Sequence, residues 1–101
     1  MLIVTFRTKR LERCYVEHKA AVRDFGKDVA RRYIERINII KETASLEELA
    51  RLPALRCHPL KGDRAGYHAI TLTGFMRLIF SLEGDALTIV RIEEVSKHYD
   101  D

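Results

Sequence analysis

Cysteine is too scarce in this 101-residue chain to hold it together: there are two, Cys14 and Cys57, without the C-x-x-C spacing of a metal or redox motif. Two thiols in a chain with no export signal predict a reducing compartment, since disulfides persist where the surroundings oxidise. The opening MLIVTFRTKRLER puts its apolar stretch before its basic one and lacks a small-residue cleavage site, so it reads as a strand running into a helix. The expectation is a cytoplasmic protein. Apolar runs are short as well, none approaching the roughly 18 residues that cross a bilayer, and no membrane span is expected.

Several site chemistries are missing too. Gly62 and Gly66 do not fall in the G-x-x-x-x-G-K-[ST] register that wraps a phosphate. His58 and His68 stand ten residues apart with no cysteine cluster and no H-x-x-x-H pair, which argues against a metal, and no cofactor is expected. Ser45, Ser81 and Ser96 occupy no nucleophile-elbow context. No repeat, low-complexity tract or linker divides the chain, so residues 1–101 are read as one domain.

What the chain has is charge, unevenly spread. Residues 1–41 hold 11 Lys/Arg against 5 Asp/Glu, and residues 42–101 hold 7 against 10, so a first half of net +6 is joined to a second of net −3. A basic half suits phosphate polyanions, because each neutralised phosphate releases counterions. A solvated helix surface has the same composition.

The hydrophobic pattern gives the fold class. LIVTF, residues 2–6, suits a buried strand. From Thr8 to about Lys41, Val22, Phe25, Val29, Tyr33, Ile37 and Ile40 recur at steps of three or four, with Arg31 and Arg32 on other faces. Gly26 lowers helix propensity, so a helical hairpin with its junction between Glu17 and Gly26 is expected. Ser45 and Glu48 form a capping box for a short third helix stopped by Pro53. The period then becomes two: strands are expected around Ile70–Thr73, Met76–Phe80 and Leu87–Ile92, the last running to about Val95 and joined by glycine-bearing turns. A strand, helices and then a meander predict an α+β fold, the helices packed on one face of a mainly antiparallel sheet. With Leu78 and Phe80 turned to the helices, Arg77 points to the face they leave uncovered.

One loop concentrates the cations. RCHPLKGDRAGYHAI, residues 56–70, gathers Arg56, His58, Lys61, Arg64 and His68 around two glycines and a proline, which shape a backbone that other residues resist. Arg56, Arg64 and His68, with Arg31 and Arg32, are the candidates for contact with a phosphate polyanion.

The run LPALRCHPLKGDRAGYHAITLTGFMRLIF, preceded by SLEELARL, resembles the HigB-type toxins of the RelE/ParE superfamily, whose members carry H-x-L-K-G-D-R-x-G ahead of a strand pair with R-L-x-F. The resemblance covers nearly the whole chain, since FGKDVARR and a His/Tyr-bearing C-terminus also fit. It implies a RelE-like fold and a small endoribonuclease that cuts messenger RNA on the ribosome without a metal. It also implies neutralisation by a helix-turn-helix, HigA-like antitoxin, through which alone operator DNA would be contacted. Carried over by position, His58 and Lys61 are catalytic loop residues, Arg77 faces the scissile phosphate, and His98 with Tyr99 forms the C-terminal pair. The family commonly ends in Asp-Tyr-His; here the order is His98-Tyr99-Asp100.

Metal-free cleavage from a ribose 2′-hydroxyl needs a base, cations for the phosphorane and an acid for the 5′-oxygen. Arg77 suits the phosphorane because its planar fork holds two oxygens and stays charged. Lys61 suits phosphate holding, His58 or His98 proton transfer, and Tyr99 base stacking. Two rivals stay open: a ParE-like inhibitor of DNA gyrase, and a noncatalytic basic module that binds nucleic acid or a partner.

Overall fold

The computed structural model describes residues 1–97. Strand β1 (Ile3–Phe6) leads into helices α1 (Lys9–Val16), α2 (His18–Phe25), α3 (Lys27–Glu42) and α4 (Leu46–Ala50), followed by strands β2 (His58–Pro59), β3 (Tyr67–Thr71), β4 (Met76–Glu83) and β5 (Ile89–Lys97). Single 3₁₀ turns fill Pro53–Leu55 and Gly62–Arg64. The α+β class expected from the pattern is the class observed.

The helical hairpin is corrected to three helices, because the expected interval contains two breaks. Gly26 sits at φ +86°, where a side chain would be strained, and separates α2 from α3. Glu17 carries no such signal, yet its backbone is extended and separates α1 from α2. That break is tertiary: it lets α1 lie against β1 while α2 packs along α3. Two helices are capped by hydroxyls, at Ser45 as the sequence predicts and at Thr8, which it did not single out. The Thr8 hydroxyl accepts from the Leu11 amide at 3.1 Å, and the Ser45 hydroxyl from the Glu48 amide at 3.2 Å, satisfying donors that a helix start leaves open. Helix α4 ends at Ala50, and Pro53 opens the next 3₁₀ turn rather than stopping the helix itself.

The sheet order is β1-β5-β4-β3-β2, with β1 parallel to β5 and every other pair antiparallel. Leu87, expected in a strand, stands in the turn before β5 at φ +52°. Ile70, Leu78, Phe80, Val90 and Ile92 form the sheet side of the main core, against Leu11, Tyr33, Ile37, Ile40 and Leu49. The Tyr33 hydroxyl donates to the Leu11 carbonyl at 2.7 Å, so the largest buried polar tip of the core is satisfied. Among the described residues, the other face carries a small cluster of Leu60, Ala69 and Ile79. Along β4 and β5, Ile79 pairs with Glu94 but Phe80 with Ile92, which leaves Glu93 as a bulge. One extra residue there brings two successive glutamates to the open face.

Candidate active site

The open face holds a cleft of about 410 Å³ lined by His58, Pro59, Leu60, Lys61, Arg64 and Arg77. Four of these six carry basic side chains and none is a carboxylate. Three elements deliver them. Strand β2 brings His58 by pairing His58 with Ala69 and Pro59 with His68 at the sheet edge. The following loop projects Lys61 and, through its 3₁₀ turn, Arg64. Central strand β4 supplies Arg77, which pairs across to Thr71 on one side and Ser96 on the other. Alternation along β4 therefore puts Arg77 where the sequence pointed it, and it is buried to 7% exposure in the cleft wall.

His58 is oriented by its own loop. Its Nδ1 lies 2.8 Å from the Arg56 carbonyl, and a carbonyl only accepts, so Nδ1 carries the hydrogen. In the neutral ring Nε2 is then the basic nitrogen. Arg56 presents that carbonyl from a left-handed backbone at φ +48°, a conformation that costs a non-glycine residue about 1–2 kcal/mol. The Arg56 side chain lines a smaller adjoining cleft of about 210 Å³ with His58, Thr71, Thr73, Gly74 and Met76. Basic groups thus extend from Arg56 through His58 to Arg77.

The remaining residues expected at the site divide. His68 is corrected to the other side of the sheet: it pairs with Phe80 and stacks on that ring at 5.2 Å between centroids. Burial first, and the nearby His58 charge second, hold its pKa below the usual value. Its Nδ1 is buried without a hydrogen-bond partner among the described residues. Arg31 and Arg32 lie on α3, within the helix layer, and Arg32 pairs there with Glu35 at 3.5 Å. They are not brought to the cleft. His98 and Tyr99 lie outside the described residues.

Sequence reasoning passed over the acidic rim. Glu93 accepts from the Ser81 hydroxyl at 2.6 Å and faces Arg7 at 3.6 Å and Arg91 at 3.8 Å. Glu94 takes Arg64 at 3.3 Å. No local signal marked it, since the bulge at Glu93 is set by the pairing of β5 with β4. Both cysteines are reduced, and burial pushes each thiol up to about 11, which makes them poor nucleophiles. Among the described residues no three His, Cys, Asp or Glu side chains converge as a metal-ligand set, and no helix is long and apolar enough to cross a membrane.

No family model matches the chain, and no curated protein matches it in sequence. Solved structures do match in fold. YafQ from E. coli strain BL21(DE3) aligns with a TM-score of 0.64 at 13% identity, covering 97% of this chain and 94% of that one. A YoeB/ParE toxin from Agrobacterium tumefaciens aligns at 0.61 with 20% identity, over 97% and 100% of the two chains. YafQ within the E. coli DinJ-YafQ complex aligns at 0.57 with 16% identity, over 97% and 94%. The cationic cleft is thus built on a fold that this chain shares with the solved YafQ and YoeB/ParE toxin structures.

Proposed function

We propose that this chain is a HigB-like toxin of a type II toxin-antitoxin system, an endoribonuclease that cuts messenger RNA on the ribosome without a metal. The observation that carries the reading is the cleft itself: His58, Lys61, Arg64 and Arg77 converge on the face the helices leave open, with no carboxylate lining it among the described residues. A phosphodiester is the ligand such a site fits. The fold shared with YafQ and YoeB/ParE supports the toxin class, and the DinJ-YafQ complex supports a protein partner. That partner is read as a helix-turn-helix, HigA-like antitoxin, through which the toxin meets operator DNA, and the setting as the cytoplasm.

In this mechanism the ribose 2′-oxygen attacks the adjacent phosphorus while its proton passes to the neutral His58 ring at Nε2. Arg77 and Lys61 hold the phosphate oxygens as negative charge builds on the phosphorane; fixed donors aimed at developing charge are the strongest single contribution a site of this kind makes. The bond to the 5′-oxygen then breaks, and that oxygen takes a proton from an acid, the role assigned to His98. The products are a 2′,3′-cyclic phosphate and a 5′-hydroxyl. Tyr99 stacks the neighbouring base. The ribosome supplies the positioning that a chain of this size lacks.

Primer extension on a translated message tests the reading. Cuts are expected on ribosome-bound message, with little cleavage of naked RNA and no loss on adding EDTA once ribosome integrity is controlled. Robust magnesium-dependent cutting of free RNA contradicts it, and growth arrest through gyrase with intact message moves the chain to the ParE-like reading.

A further inference from the structure

Arg64 stands in the wall of two clefts at once. One is the cationic cleft with Lys61 and Arg77; the other, of about 400 Å³, is bordered by Asp63, Glu93 and Glu94. Its guanidinium is drawn toward the second: Nη2 donates to Glu94 Oε1 at 3.3 Å, with the two side chains 41% and 40% exposed. The bulge in β5 separates the duties of the two glutamates. Glu93 is held by Ser81, Arg7 and Arg91, whereas Glu94 is placed to hold Arg64.

We propose that Glu94 is a latch on Arg64, a positioning residue that keeps this guanidinium at the rim of the empty cleft and yields it to an entering phosphodiester. The exchange is favourable because the pair is exposed and therefore weak, while a phosphate facing Lys61 and Arg77 offers two oxygens to a planar fork. The strength of the latch is subtracted from the affinity of the cleft. Arg64 thus joins the phosphate only after binding begins, and Glu94 sets how readily it does so. The identity of the ligand rests on the proposed function; the latch itself rests on the ion pair and the two clefts that share Arg64.

The test is binding of a short, fully 2′-deoxy single-stranded oligonucleotide, which offers phosphodiesters but no nucleophile, to the full chain, followed through arginine Nε–Hε resonances. Glu94→Gln is expected to tighten binding about two- to five-fold, the scale of an exposed ion pair, with the same number of phosphate contacts in the complex, because Arg64 meets the phosphate in both proteins. Arg64→Ala is expected to weaken binding, and adding Glu94→Gln to it to change nothing further, because the two residues act through each other. Equal or weaker binding by Glu94→Gln, with wild-type binding at the cleft intact, overturns the latch and leaves the proposed function standing. No shift of the Arg77 resonance in any of the proteins removes the phosphodiester reading of the cleft, and the latch with it.

Discussion

Arg36 and Arg77 are nearly equally buried, 6% and 7% exposed, on opposite sides of one sheet. On the helix side, Arg36 is consumed by the fold: its Nε donates to the Thr71 carbonyl at 3.2 Å and its Nη1 to Glu35 at 2.9 Å. Burial, partly offset by Glu35, pushes its pKa down, the cost of holding a charge inside a helix layer. On the open side, Arg77 is set in a cleft wall beside Lys61, Arg64 and His58. Like charges gathered where the fold could have spread them point to a polyanion. Burial alone does not distinguish the two arginines; their neighbours do. The histidines repeat the contrast, with His68 stacked on a core phenylalanine and His58 fixed at the cleft by its loop carbonyl.

The comparison breaks most sharply at His58, the proposed proton carrier. His58→Ala is expected to slow cleavage on programmed ribosomes by about 10²- to 10⁴-fold while leaving the thermal midpoint near that of the wild type. Arg36→Ala is expected to do the opposite: about 1–3 kcal/mol of stability lost in urea unfolding, because the Thr71 carbonyl loses a charged donor, with little change in the cleavage rate of the folded fraction. An unchanged stability would place Arg36 outside the structural set.

Acid sensitivity sharpens the contrast between the histidines. The folded pKa of His68 lies below its usual value of 6.5, so the unfolded chain binds its proton more readily. Its contribution to stability is complete above about 6.5 and is lost as pH falls from there toward the lower folded pKa. His68→Phe, which keeps a ring on Phe80, is expected to flatten the fall in thermal midpoint between pH 7 and pH 5; an equally steep fall assigns it to other groups. The smallest effect belongs to neither face. Leu87 is 55% exposed at φ +52°, and Leu87→Gly is expected to gain up to about 1 kcal/mol by removing a strained Cβ, read as a small rise in urea midpoint.

Much of this was legible because period and parity carry geometric content. The α+β class, the capped starts at Ser45 and the outward direction of Arg77 follow from spacing and strand alternation alone. His68 was legible by the same parity, since it stands two residues before core-facing Ile70 and so shares its face; starting the strand at Ile70 concealed this. The break at Glu17 was not legible, because no residue there opposes a helix, and its extended backbone appears only in the packed structure. Strand β2 is only two residues long, below any periodic signal, yet it brings His58 to the sheet edge. The Arg64–Glu94 pair joins residues 30 apart through a bulge, a register no local pattern reports.

The central claim is that the cleft around Arg77 performs phosphoryl chemistry, and one rate tests it most directly. Single-turnover cleavage of ribosome-bound message is measured for Arg77→Ala beside the wild type, with circular dichroism and thermal midpoint establishing that the variant is folded. The account predicts a rate about 10²- to 10³-fold lower, the usual consequence of losing one preorganised charge donor. A folded Arg77→Ala protein that cuts at the wild-type rate contradicts it.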